Sequence, residues 1–427
     1  MDATLCNALS SLPQTDATVV ARARQESRGI TIPQSAWCKS HGYASEKAYK
    51  EAMAKKGTLM YHAHFCFDNK AILFQEMGQL QKLLEERQIK LDRFGVSLDA
   101  SMALPPALRQ DNAEHHGLYF ATERDWRELA DFPFSQPHLG DNMIGSPASY
   151  DSCCAALRAG ITTMGNVSQF FSYDDPRYPD VEARTRSTVM AIAAMGEHVD
   201  DGAMLHSNLD DGYADKCDDM GQLIGMALLE QYLVQDLLHA KLAHSFGDMV
   251  YSPRKRLVLL SALRQIHGDG VFGSMVFTNK LGREKERLDL NDAHLCTCML
   301  VDMLGQLHYQ TGHAITVMAD GGLHSQVTCQ EIVQKLELAK RLEGYLPEAM
   351  QLIDFAAVDA EATYLVRRGQ RLKDRLLDCL SPWIDITDPQ SVLLAVQKLG
   401  VKALMSAVSE QEPVPAGMFT DFYESSH

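Results

Sequence analysis

Short apolar runs and longer amphipathic stretches take turns along most of the chain. The strand-like runs are Leu59–Phe65, Arg93–Leu98, Phe132–Pro137, Ile161–Val167, Ala203–Asn208, Lys241–Phe246, Phe272–Thr278 and Ala314–Met318. Between them, Pro147–Ala159, Ala183–Met195, Asp218–Leu238, Pro253–Ile266, Asp292–Tyr309 and Cys329–Leu342 place apolar residues three and four apart, the spacing of one helix face. Pro147 opens its stretch and Gly160 follows its end, as helix boundaries do. Strand and helix in strict alternation predict an α/β protein with a parallel sheet, and eight such units predict a (β/α)8 TIM barrel.

The alternation has limits along the chain. Residues 1–58 are expected to form a helical N-terminal extension, with Ala44–Lys55 as its clearest helix and Gly57 closing it. Residues 59–345 carry the barrel pattern, although Arg109–Asp131 is irregular. Residues 346–427 form a C-terminal helical extension, with helices over Ala360–Leu380 and Pro389–Ser409. This extension is expected to serve structure or subunit contact. An open doubly wound sheet is the rival architecture, but the chain has neither G-x-G-x-x-G nor G-x-x-x-x-G-K-[ST], which weakens a nucleotide site.

Composition narrows the class of partner. The 427 residues carry a net charge of −16, which argues against nucleic acid or an anionic membrane as the main partner. Met1–Val20 lacks both a basic residue and an apolar core of signal-peptide length. No apolar run reaches the roughly 18 residues of a membrane span. A cytoplasmic location is therefore expected, with the ten cysteines as free thiols.

Candidate chemistry gathers where the predicted strands end. His138, His206 and His244 each precede an aspartate, Asp141, Asp210 and Asp248, at such a junction. If the strands close into one barrel, these imidazoles meet at its mouth, where barrel enzymes work. Leu205–Gly212 is the densest cluster, and strand alternation turns His206 and Asn208 to one face. His206, Asn208 and Asp210 are the expected catalytic residues. His138, Asp141, Asn142, Asn166, Gln169, Asp211, His244 and Asn279 are expected to surround the substrate. Gly140 and Gly145 would let backbone approach a ligand, and Ser146 would cap the following helix with its free N–H groups. His313 opens its run and is expected to be structural. The alternative is a plain turn in which Asp210, Asp211 and Gly212 serve only as turn residues.

Two chemistries suit these residues. Imidazoles and carboxylates on barrel strands are a ligand set for a divalent metal in a hydrolase or lyase. The same groups can act without metal as hydrogen-bond donors and general acids around a polar substrate. The H-x-H pair of many barrel metallohydrolases occurs once, as His62-Ala63-His64. A non-catalytic barrel that binds a partner through its acidic surface is the third reading.

From about Arg93 to Leu342 the chain resembles the barrel subunit of cobalamin-dependent carbon-skeleton mutases, of the glutamate (methylaspartate) mutase type. The segments that carry the likeness are Phe94–Asp99, His138–Ser149, Gly165–Phe171, His206–Gly212 and Thr311–Thr316. The resemblance implies an isomerase working by a radical mechanism on a small carboxylic or amino acid. It implies adenosylcobalamin over the barrel mouth, with Gly140, Gly145 and Ser146 as its contacts here. The family's cobalamin signature, D-x-H-x-x-G, is absent. The resemblance thus implies a separate small cobalamin-binding subunit and an oligomeric enzyme. Arg93, Arg177 and Arg283 are the candidates for holding a substrate carboxylate.

Overall fold

A computed structural model describes residues 8–65, 67, 69–109, 117–247, 250, 252–268, 275–276, 288–312, 314–317, 328–409 and 418. Asn279, His313, Asp248 and Arg283 lie outside these described residues. The strands are β1 (Met60–Phe65), β2 (Arg93–Ser97), β3 (Gln136–Asp141), β4 (Thr163–Met164), β5 (Met204–Asn208), β6 (Leu242–Phe246), β7 (Met275–Val276) and β8 (Ala314–Val317). They form one parallel sheet in the order β7-β6-β5-β4-β3-β2-β1-β8. The expected α/β class and parallel sheet are therefore present. Among the described residues no ladder joins β7 to β8.

The helices are α1 (Val19–Ser27), α2 (Ala36–His41), α3 (Glu46–Lys55), α4 (Lys70–Arg87), α5 (Ser149–Arg158), α6 (Val181–Glu197) and α7 (Met220–Gln231). They continue with α8 (Pro253–His267), α9 (Leu288–Tyr309), α10 (Cys329–Glu343), α11 (Phe355–Leu380), α12 (Pro389–Leu399) and α13 (Val401–Val408). Their starts follow local chemistry. Asn69 caps α4, Asp219 caps α7, and Thr328 with Glu331 closes a capping box on α10. Leu73, Met77, Leu80 and Leu84 of α4, at three- and four-residue spacing, are buried in the main core. No single helix among the described residues is long and apolar enough to cross a membrane.

Two strands differ from the sequence expectation. β3 lies four residues later than the expected Phe132–Pro137, so His138 sits within the strand and not beyond it. Phe132 and Phe134, which suggest a strand by composition, are partly buried and pack on the core from the loop before β3. β4 is only two residues long, because the chain turns at once into a short 3-10 helix over Val167–Phe171.

The N-terminal segment is more than a leader. α3 buries Glu46, Tyr49, Lys50, Met53 and Ala54, a stripe at helical spacing that contains two charged residues. Lys50 Nζ lies 2.6 Å from Glu46 Oε1, and Arg93 Nε of β2 lies 3.4 Å from the same oxygen. Ser35 Oγ donates to Gln136 Oε1 of β3 at 2.6 Å. α3 therefore sets a buried ion cluster against the N-terminal ends of the strands. The C-terminal helix α11 is equally integrated. Gly225 of α7 and Gly369 of α11 let the two helices touch, since a Cβ on Gly369 would lie 2.9 Å from Gly225 N. Arg368 of α11 pairs with Asp219 at 2.6 Å across the same contact.

Candidate active site

Register decides which side chains share the concave side of the sheet. His62 pairs with Arg93 and Arg93 with Gln136, while His64 pairs with Gly95 and Gly95 with His138. These residues therefore occupy one face, with alternate residues on the other. Across β5 and β6, His206 pairs with Ala243 and Asn208 with Ser245. The His62 and His138 rings, two strands apart, have centroids only 6.1 Å from each other, and the His138 and His206 rings 5.5 Å. Strands lie about 4.8 Å apart, so rings that meet over an intervening strand mean strong concave curvature. His64 completes the group, 6.4 Å from His62.

Gly95 makes room for this cluster. A Cβ there would lie 2.4 Å from His64 Nδ1 and 3.0 Å from His62 Nε2. Replacing Gly95 with valine is therefore expected to push both rings aside at a cost of about 1–3 kcal/mol. Urea unfolding and the His64 imidazole NMR signal check this. An unchanged midpoint with an unmoved ring signal would contradict the packing described.

Burial first, and the Arg93 charge second, hold His62, His138 and His206 well below the ordinary imidazole range. These rings are neutral at physiological pH. As neutral groups they offer an N–H to a substrate oxygen and are weak bases. His138 Nδ1 lies 3.3 Å from the Thr163 carbonyl oxygen, which makes Nδ1 the protonated nitrogen. Among the described residues no hydrogen-bond partner reaches His62 Nδ1 or Ser245 Oγ, and both residues are buried.

Two polar clamps stand at the C-terminal ends of the strands. In the first, Ser97 Oγ donates to Asp141 Oδ2 at 3.0 Å, and His64 Nε2 lies 3.0 Å from Ser97 Oγ. Because the serine proton goes to the carboxylate, His64 Nε2–H donates to the serine oxygen. Gln169 Nε2 donates to Asp141 Oδ1 at 2.9 Å, and Gln169 Oε1 accepts from Asn142 N at 3.0 Å. Asn142 takes the left-handed conformation, φ 60°, which asparagine tolerates, and donates to the Leu98 carbonyl at 2.8 Å.

In the second clamp, Asp211 Oδ2 accepts from Asn166 Nδ2 at 2.8 Å and from Asn208 Nδ2 at 2.6 Å. Asn166 Oδ1 accepts from Asn208 N at 2.7 Å and from Ser168 Oγ at 2.8 Å. Asp210 Oδ2 accepts from Gly247 N at 2.9 Å, tying the β5 turn to the end of β6. Buried Arg256 fixes that end, bonding the Gly247 and Val250 carbonyls and pairing with Asp302. Arg184 does the same for the turn after β4, donating to the Phe170 carbonyl at 2.8 Å.

The structure brings together His138, Asp141, Asn142, Asn166, Gln169, His206, Asn208, Asp210 and Asp211. His244 does not join them. Its register partner is Ser207, on the opposite face of β5 from His206, so it faces the helices. There it contacts His267 of α8 and Glu230 of α7. Gly140 borders the site, since a Cβ there would lie 3.7 Å from His64 and 3.8 Å from His138. Gly145 and Ser146 lie deeper. A Cβ on Gly145 would strike Phe170 N at 2.4 Å. Ser146 is buried and bonded to Ser149, and the residue before α5 is Ala148, so Ser146 is not its cap. Sequence reasoning did not select His62, His64, Ser97 or Ser245 for the substrate site; the H-x-H spacing is the one signal that pointed to the first two.

The implied cofactors can be weighed against these residues. Gly145, packed against the Phe170 backbone, and Ser146 are both buried and offer no surface to a corrin, so these two expected cobalamin contacts do not fit. Of the arginine candidates, Arg93 is buried beside Glu46, while Arg177 is exposed and clasps Asp175. Among the described residues no group of three or more His, Cys, Asp or Glu side chains is arranged to hold a metal ion. No protein-family model matches the chain, and no curated protein matches it.

Proposed function

We propose that the chain is an enzyme that transfers protons on a small polar organic substrate at the C-terminal ends of β1 to β6. The observation that supports this most is the meeting of neutral imidazoles from β1, β3 and β5. Alternate strands supplying one side-chain layer is the habit of a (β/α)8 barrel. We infer that β7 and β8 close the sheet on that pattern. In this reading the substrate's oxygen takes an N–H group from His206, as neutral imidazole polarises a carbonyl elsewhere, and His138, whose proton is held by the Thr163 carbonyl, presents Nε2 as an acceptor. Asp141 and Asp211 are the proton acceptors, each oriented by amide or hydroxyl donors. Isomerisation of a small carboxylic or amino acid falls within this chemistry.

Solvent exchange tests the proposal. Small hydroxy and amino acids are incubated with the protein in heavy water, and deuterium entering their carbon–hydrogen bonds is followed by NMR. His206→Gln and Asp211→Asn are expected to slow exchange by about 10²–10⁴-fold. If a compound exchanges and both variants work at the wild-type rate, the chemistry lies elsewhere and the proposal fails.

A further inference from the structure

At the rim of the sheet, the proposed chemistry leaves His64 without a part. β2 and β3 keep a steady register through Gly95–His138 and Val96–Leu139, and then Ser97 pairs with Asp141, so β3 has one residue more than β2 here. Strand alternation alone would set Gly140 on the face of His138 and turn Asp141 away from it. The extra residue re-aims the Asp141 carboxylate toward Ser97, as a bulge beside an active site does. Ser97 Oγ then stands between two groups, 3.0 Å from Asp141 Oδ2 and 3.0 Å from His64 Nε2. The other carboxylate oxygen is taken by Gln169 Nε2 at 2.9 Å. His62, His138 and His206 are buried, whereas His64, Ser97 and Asp141 are half-buried. The bonded row therefore leads from the carboxylate along the wet edge of the cluster.

We propose that Ser97 and His64 form a proton relay that clears Asp141 after each proton abstraction, with His64 as the group that meets solvent. The inference rests on Asp141 being a proton acceptor of the proposed reaction. At rest, His64 Nε2–H donates to Ser97, and Ser97 donates to the carboxylate. Once Asp141 has taken a proton from the substrate, it becomes the donor on that side. A hydroxyl has a single proton to give, so Ser97 turns it toward His64, whose own proton moves to Nδ1 through solvent. The Asp141 Oδ2–H bond then breaks as Ser97 Oγ gains its proton, and the Ser97 O–H bond breaks as His64 Nε2 gains that one. Carboxylate and hydroxyl are restored, and the imidazolium gives its Nδ1 proton to water, which returns the row to its resting orientation. The ionisable neighbours of the relay are the His62 ring, 6.4 Å from His64, and His138, which borders Gly140 with it. Burial holds both of them neutral, so neither repels the transient imidazolium.

The test reads the direction of the hydroxyl in the full-length protein, without a substrate. Asp141→Asn copies the protonated carboxyl. Asn142 N fixes Gln169 so that its Nε2 needs an acceptor at Oδ1, and the new amide therefore sets its N–H toward Ser97. Ring-nitrogen NMR of His64, followed to mildly alkaline pH, is expected to show Nε2–H in the wild type and Nδ1–H in Asp141→Asn. Adding Ser97→Ala is expected to abolish this switch, and adding Ser97→Thr, which keeps the hydroxyl, to preserve it. A wild-type ring protonated at Nδ1, or one that is the same in Asp141→Asn, overturns the proposal. With a compound that exchanges deuterium, His64→Gln is expected to slow its entry about 10²-fold in dilute buffer, and added imidazole to restore it. A wild-type rate in His64→Gln, or a slowed rate that imidazole leaves unchanged, overturns the relay as well. If no compound exchanges, the proposed chemistry fails while the ring-nitrogen result stands, so the two failures are distinguishable.

Discussion

Acidification from about pH 7.5 to about pH 5.5 is expected to remove roughly 4 kcal/mol of stability and lower the melting temperature by on the order of 5 °C. Five buried imidazoles carry this effect. Burial is the first cause in His62, His138, His206, His244 and His267, and it holds each below its ordinary value. The sign follows from linkage. A group depressed on folding contributes stability that is present above its unfolded value, about 6.5, and is lost as pH falls below it. Each ring then costs about 1.4 kcal/mol over the first unit, because the unfolded chain takes the proton and the folded one refuses it. Glu230 works the other way. Its raised value means that stability falls as pH climbs toward about 8, so acidification over the two units returns about 2.5 kcal/mol, nearly two rings' worth. The remainder approaches the lower end of a typical domain's whole stability, about 5–15 kcal/mol. Thermal unfolding followed by circular dichroism at several pH values measures it. A melting temperature that stays level across the range would mean that the rings are wet and titrate in the ordinary way.

Glu46→Leu is expected to destabilise the protein by about 3–5 kcal/mol, the usual cost of breaking a buried ion cluster from one side. Glu46 and Lys50 are each 2% exposed, and Arg93 is 3% exposed. Burial opposes the charge on Glu46, but Lys50 and then Arg93 outweigh it and hold the carboxyl below its ordinary range. Burial lowers Lys50 to about 8, with the Arg93 charge adding to it. Removing the carboxylate leaves two cations crowded in the interior with one anion fewer. The double change Glu46→Leu with Lys50→Met removes one charge of each sign and is expected to recover most of the loss. Urea midpoints of both variants decide the matter. A single variant within about 1 kcal/mol of wild type is how an exposed pair behaves, and would deny the burial.

Much of the scaffold was legible in the sequence because a parallel strand buried on both faces reads as a compact apolar run. β1, β2, β5 and β6 fall within a residue of their expected bounds at most ends. β3 was displaced for an instructive reason. Gln136, His138, Gly140 and Asp141 face the site or its rim, so the true strand is polar and the aromatic loop ahead of it looks more strand-like. His244 faces away from the site because its side of the sheet depends on register with β5, and register is a property of two segments. Glu46 and Lys50 stand four residues apart on a helix, the spacing of an ordinary surface pair, so their burial left no trace in the pattern. His62 and His64 announced themselves by spacing, but that spacing suggests a metal and not a ring-to-ring layer.

The helix that fills the floor of the sheet precedes in the chain every strand it contacts. On the ribosome, α3 leaves the exit tunnel with Glu46 and Lys50 hydrated, and Arg93 arrives only after a further helix and strand have been made. The dehydration of these charges is therefore deferred until β2 is present, because a helix as short as α3 is marginal without its partners. A shortened version that begins at β1 would emerge with an uncorked bottom, open to water beneath the imidazoles.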